Sequence, residues 1–381
     1  MQTQDNPQIT VFIPYYNDEK YLKQSIDSVF AQTFQDFELI LLNHASTDSS
    51  PQIAHSYSDP RIKHITMQEN IGGGGGLLLK EALKIAKGKY FKPFCADDIM
   101  LPNCLEVLFN YLEQSPAKDF CFGDMSYIDE NSKPRHKFWW DDKPFQTQTV
   151  LRENLIEYYI NYRSFLPWPS SMFKTQIVDA EKLNIVTVMV FDMSVWLQLL
   201  IKGHNCGLLK ESIVLYRTHE GQMVMERKCR NMSEFENCHF NKCFFEIKDI
   251  ALIKKIMPKN QFAQALQNGD EELIQFVLCM HWLHIIYSPF SNKRFALDNF
   301  HDMLHNPAIA SKIKQKFNFG IKELRDIYKN TNFTGQHINK FQRELKRLIK
   351  NIAFFSFQNG KVFFKTPYVL KGLTNRLTKK P

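Results

Sequence analysis

The chain has eight cysteines among its 381 residues, but no C-x-x-C pair and no Cys/His grouping at zinc spacing. That excludes zinc ribbons and thioredoxin-like dithiols, and it makes the cysteines reduced, small buried hydrophobes. No apolar run approaches the ~20 residues that cross a bilayer. The opening MQTQDNPQIT lacks the basic and apolar regions of a secretory signal. Both absences lead us to expect a cytoplasmic protein. A basic face spread over the whole fold is also missing. The net charge is +8, yet residues 338–381 carry 11 Lys and Arg against Glu344 alone, so the remainder is near neutral at −2. This disfavours a general nucleic-acid binder. There is no internal repeat, and the one homopolymer of note is the glycine run Gly72–Gly76.

What is present is strand–helix alternation. QITVFIP reads as a β-branched strand closed by Pro14, and Leu22, Ile26, Val29 and Phe30 follow at helical spacing. FELILL is a second buried strand, after which Ser50 and Pro51 mark a helix start as N-cap and first helical residue. RIKHIT is a third strand. The glycines lead into the helix LLLKEALKIAK, and KYFKPF is a fourth strand ending at Cys95-Ala96-Asp97-Asp98. Such alternation predicts a parallel α/β sheet, in which ligands bind beyond the carboxyl ends of the strands. Three polar clusters fall at those ends: YYND, NHASTD and CADD. From about Gln148 the pattern is mixed, and beyond Glu226 it is mainly helical, so a boundary is expected between residues 225 and 235.

Taken in order, VFIPYYNDEKYLKQSIDSVFAQTFQDFELILLNHASTD, ENIG, AKGKYFKPFCADD, FDMSVWLQLLIKG and LYRTHEG resemble the family 2 glycosyltransferases. The likeness runs over about residues 9–222. It implies a GT-A-type, Rossmann-like mixed and mostly parallel sheet flanked by helices, with a mainly helical region after it. The expected organisation is a transferase domain over 1–228, a helical domain over 229–337 and a basic, aromatic-rich tail over 338–381. The implied activity is inverting transfer of a sugar from a nucleotide-diphosphate donor, with Mn2+ or Mg2+. On the same resemblance Asp97 and Asp98 fall on the metal-binding D-x-D element, whose first Asp is Cys95 here. A thiol is a poor ligand for a hard cation. His219, in Y-R-T-H, completes the metal site and Arg217 pairs with the diphosphate. Asp192 is the catalytic base, and the Glu that normally precedes it is Phe191.

Pro14, Tyr16, Asn17 and Gly72 would lie against the nucleotide. Asn43 stands at the first Asp of the family's D-D-G-S-T-D turn, where the base is read. Its carbonyl and amide match uracil, and flipped they match cytosine, so uridine is favoured without being required. The glycine run is not a P-loop, because Leu77-Leu78-Leu79 follows it where Lys-Ser/Thr belongs. We read it as a mobile turn beside the donor site. Trp168, Pro169 and Ser170, and the loop Trp139-Trp140-Asp141-Asp142, are candidates for the acceptor side. The tail segment KFQRELKRLIKNIAFFSF sets Phe341, Leu345, Leu348, Ile349 and Ile352 opposite Lys and Arg, as an interfacial helix on anionic lipid would. That suits a glycan or lipid-linked glycan acceptor, as in surface polysaccharide or lipopolysaccharide synthesis, at the inner face of the cytoplasmic membrane. The rivals are a catalytically inactive nucleotide-sugar or glycan-binding module and a nucleotidyltransferase. The latter lacks its G-x-G-x-(T/R) signature after the first strand.

Overall fold

The computed structural model describes residues 6–72, 75–138, 150–162, 166–183, 187–222, 227–284 and 290–330. The chain forms two compact units, residues 1–303 and 304–381. The first begins with the expected alternation: β1 (Ile9–Tyr15), α1 (Leu22–Phe30), β2 (Phe37–Asn43), α2 (Ser50–His55), β3 (Ile62–Thr66), α3 (Gly75–Ile85) and β4 (Tyr90–Pro93). β2 is buried along its whole length, and β1 everywhere except Pro14. That is why both read as mainly apolar runs without a solvent face, and the buried exceptions Thr10 and Glu38 bond to each other at 2.6 Å. They pair in parallel from Ile9 opposite Phe37 to Tyr15 opposite Asn43. β4 joins β1 and β3 joins β2, again in parallel. The carboxyl ends of all four strands therefore share one edge, with the three polar clusters on it.

Then follow β5 (Ile99–Met100), α4 (Cys104–Gln114), β6 (Phe120–Ile128), β7 (Pro134–Phe138), α5 (Arg152–Tyr162), β8 (Ser171–Lys174), α6 (Phe191–Ile201) and β9 (Cys206–Arg217). The sheet runs β3-β2-β1-β4-β8-β6-β9-β5, with β7 on β6. β8 is antiparallel to both β4 and β6, whereas β9 runs parallel to β6. The sheet is thus mixed, parallel through its first four strands and divided thereafter. Stacked Phe120 and Trp196, whose rings lie 5.7 Å apart, pack α6 onto it.

The helical region contains α7 (Arg227–Cys243), α8 (Ile250–Ile256), α9 (Gln261–Ala265), α10 (Ile274–His284) and α11 (Phe290–His305). Asp249 starts α8 by accepting from the backbone N–H of Ala251 and Leu252. α10 is enclosed, with every residue from Phe276 to Met280 fully buried. In the second unit lie α12 (Pro307–Phe317) and α13 (Ile321–Asn330). Asn306 caps the first of these, and a left-handed Asn318 ends it. Among the described residues no helix is long and apolar enough to cross a membrane.

Two local expectations shift. Ser50 is not the N-cap of α2: the helix begins at Ser50 itself, after Ser49. Its hydroxyl is turned instead to the backbone N–H of Asp18, at 2.8 Å. The glycine run is also less of a turn than expected, because Gly75 and Gly76 already belong to α3.

Candidate active site

The ends of β1 and β2 are stitched together by side chains acting on backbone. Asn17, in the left-handed region at φ 54°, accepts from Thr47 N at 2.8 Å, and its own N–H donates to Ser46 Oγ. Asp48 accepts from Glu19 N, and Glu19 accepts in return from Ser49 N. Asn43 is 6% exposed and its Oδ1 accepts from Ser46 N at 2.8 Å. Only the carbonyl can take that bond, so the amide Nδ2 faces away from the turn. Beside it His44 is buried, and its Nε2 accepts from Ile71 N at 3.2 Å. The ring is therefore a neutral imidazole with its proton on Nδ1. Its edge meets the ring of Tyr16, which is exposed at the mouth. Pro14 lies half-buried within β1, one strand position before this rim. Gly72 sits at φ 77°, a conformation that favours glycine, and its N–H bonds to Asn70 Oδ1.

The end of β4 faces the end of β9. Asp97 Oδ2 lies 3.1 Å from His219 Nε2. Asp98 is fully buried: its Oδ1 accepts from Arg217 N at 2.8 Å, and its Oδ2 has no partner. Burial first, and the adjoining Asp97 second, hold the Asp98 carboxyl well above the usual carboxylate range. Cys95 Sγ and one oxygen from each of Asp97 and Asp98 lie within 4.8 Å of one another. The same burial and the same two carboxylates push the Cys95 thiol well up. Two carboxylates and an imidazole, one carboxylate oxygen orphaned, fit a hard or borderline divalent cation. The thiol adds little to such a donor set. Asp18, also at this edge, accepts from Tyr16 N, and burial together with Asp97 and Asp48 raises its carboxyl to about 6.

Arg217, expected to pair with the diphosphate, is fully buried, and its guanidinium is bonded to protein. Nε donates to Asp97 O at 2.7 Å, Nη1 to Ser132 Oγ at 2.9 Å, and Nη2 to Gln24 Oε1 at 2.7 Å. The guanidinium also lies over the Tyr21 ring, 4.5 Å from its centre. Arg217 is a strut that ties the β4 loop to α1 and to the turn after β6. Tyr21 in turn touches the His219 ring at 4.9 Å.

Asp192 opens α6, where burial pushes its carboxyl up to about 6. The residue before it, Phe191, is wedged against Trp168, with ring centres 5.2 Å apart. On its other side is Gly75, where a Cβ would stand 2.8 Å from Phe191 Cδ1. The glycine run is thus partly a steric allowance for Phe191. Trp168 packs against Phe191 and Trp196, and Pro169 and Ser170 are buried, so this segment is core and not an open acceptor wall. Trp139 to Asp142 lie outside the described residues, as does the basic tail.

Four further residues contribute that no motif assigned a role. Asp18 and His44 lie in the strand-end clusters YYND and NHASTD, which were a usable signal. Tyr21 and Glu236 gave none, because their partners lie elsewhere in the chain. Glu236, on α7, accepts from the backbone N–H of Val188, Met189 and Val190 at 2.8, 2.7 and 3.2 Å.

Comparison with known proteins places this arrangement in a class. Residues 10–166 match the model of glycosyl transferase family 2. An uncharacterized glycosyltransferase of Methanocaldococcus jannaschii is 30% identical over 217 residues, 56% of this chain and 71% of that protein. One from Rickettsia prowazekii is 39% identical over 114 residues, 30% of this chain and 35% of its own length. Among solved structures, residues 1–349 of Staphylococcus aureus TarS in complex with UDP-GlcNAc align with a TM-score of 0.51. They do so at 15% identity, over 92% of this chain and 93% of that one. The chain belongs to glycosyltransferase family 2, and its fold is of the GT-A type.

Proposed function

We propose that the chain is a metal-dependent, inverting transferase that moves a sugar from a nucleoside-diphosphate donor to a hydroxyl of a glycan. The observation that carries this reading is the Asp97–His219 pair beside the buried, unpartnered Oδ2 of Asp98. Asp97, Asp98 and His219 would hold a Mn2+ or Mg2+ ion, which when bound offsets the charge on the departing diphosphate. Tyr16, Asn17 and Gly72 line the nucleotide side. Asp192 takes the proton of the acceptor hydroxyl while that oxygen forms its bond to the anomeric carbon. The nucleoside diphosphate leaves from the opposite face with the bonding pair. A carboxyl of about 6 is ionised at neutral pH and still basic enough for that task.

Uridine is the first expectation for the base, from the family resemblance, and TarS is solved with UDP-GlcNAc. Cytidine is a second reading, favoured by Asn43 and His44. Their acceptor atoms are taken by Ser46 N and Ile71 N, leaving two donors, Nδ2 and Nδ1–H, for a base edge. N3 and O2 of cytosine accept side by side, whereas N3 of uracil donates. We assign catalysis to residues 1–228, with the helical region over 229–337 and the tail over 338–381 serving the acceptor side. A lipid-linked or surface glycan at the inner face of the cytoplasmic membrane fits the basic, aromatic composition of that tail.

The test is thermal-shift screening of UDP-, CDP- and GDP-sugars with and without Mn2+, followed by Asp192→Asn. Donor binding that needs the ion, with transfer lost in the variant, supports the reading. No ion-dependent shift with any donor overturns it.

A further inference from the structure

We propose that Glu236 is a positioning residue, which holds the carboxylate of Asp192 in place by gripping the backbone that leads into α6. This rests on the reading of Asp192 as the base. The grip itself is visible in the contacts. Oε1 accepts from Val188 N, and Oε2 accepts from both Met189 N and Val190 N. Glu236 is 8% exposed, so these charge-assisted bonds are shielded from water. They satisfy three backbone donors immediately ahead of α6, whose N-cap, Val190, makes no side-chain cap bond of its own. Asp192 lies two residues beyond the last of them.

The arrangement is unusual in its reach. The carboxylate comes from α7, 46 residues beyond Val190, in the helical region after the sheet and beyond the segment that matches the family model. α7 begins soon after His219, so one helix follows the metal-side segment in sequence and holds the base-side segment in space. The opposite side of the same turn is fixed by Phe191, clasped between Gly75 and Trp168. Asp192 itself has backbone partners, the nearest being Met193 N at 2.7 Å. Its direction therefore depends on where the backbone of residues 188–191 is held. Removal of Glu236 leaves three N–H groups that only water can satisfy. Water drawn to them enters beside Asp192, and the turn loses its outer anchor.

The experiment compares wild type, Glu236→Gln and Glu236→Ala in the full chain. The carboxyl titration of Asp192 is followed by 13C NMR and assigned by its absence in Asp192→Asn. Release of nucleoside diphosphate is measured alongside, with water as the acceptor and UDP-glucose, CDP-glucose and GDP-glucose as probes in the presence of Mn2+. Wild type is expected to titrate at about 6. The variants should move down towards an ordinary carboxylate, Gln less than Ala because it keeps one acceptor oxygen. Donor turnover should fall about tenfold to a hundredfold in the Ala variant, with donor affinity unchanged. An Asp192 titration identical in all three proteins overturns the proposal. So does a fall in donor affinity that matches the fall in turnover, since that marks general damage. The isosteric Gln variant decides the matter if Ala does not fold. If Asp192→Asn turns donor over at the wild-type rate, the base assignment fails, and the titration still reports whether Glu236 holds residue 192.

Discussion

Asp98 offers the sharpest test of the metal reading, because one of its oxygens is buried with nothing to bind. Asp98→Asn keeps the shape, lets a carbonyl accept from Arg217 N, and replaces the unpartnered carboxyl oxygen with an amide that does not titrate. A buried polar group left unsatisfied costs about 1–3 kcal/mol, more when charged. In a chain of this size that corresponds to roughly 1–4 °C in melting temperature. The sign with pH follows from the direction of the shift. The folded carboxyl titrates well above its unfolded value, so the ion-free protein binds more protons folded than unfolded. Its stability should fall as pH rises from the unfolded carboxylate value through the folded one, and Asp98→Asn should lack that slope. Divalent cation should reverse the ranking. At a hundred times its Kd an ion adds about 2.7 kcal/mol to wild type, or roughly 3 °C, and little to the variant. Melting of both proteins against pH and Mn2+ concentration measures all of this. Equal stabilisation of the two by Mn2+ would refute Asp98 as part of the ion site.

Gly75→Ala should destabilise the protein by about 1–3 kcal/mol through overpacking against Phe191 and lower transfer. Combining it with Phe191→Leu should recover part of both, as read in a double-mutant cycle. Arg217→Lys should lower the ligand-free melting temperature sharply, by the equivalent of about 3–5 kcal/mol, since a lysine cannot reach Asp97, Ser132 and Gln24 together. A variant that melts normally and loses only donor affinity would restore the diphosphate role. The kcat profile should fall on the acid side with an apparent pKa of about 6, because protonated Asp192 cannot accept a proton. Asp18 titrates in the same range, so Asp18→Asn must retain that limb if Asp192 is its source.

The half of the fold built from local alternation was legible: β1 to β4 and the helices between them follow from short, mainly apolar runs and 3.6-residue spacing. β6 was not, because FCFGDMSYI interrupts its apolar pattern with Gly123 and Asp124 and pairs on both sides with strands distant in sequence. The same divide runs through the site. Asp97, Asp98 and His219 could be picked out through the motifs shared with the family, and the structure brings Asp97 and His219 within 3.1 Å of each other. Arg217 could not be judged, because whether a guanidinium is free or spent depends on Gln24, 193 positions away. The departures Phe191 and Gly75 look like two separate oddities in the sequence. In space they are one contact: the large ring of Phe191 lies against Gly75, and a residue without a side chain makes room for it. With Glu236 on the backbone just before, the turn ahead of Asp192 is held by partners from α3 and α7, neither adjacent to it in sequence. A substitution at Phe191 judged alone would look like the loss of an acid. Judged with Gly75, it reads as a change in how Asp192, the proposed base, is held.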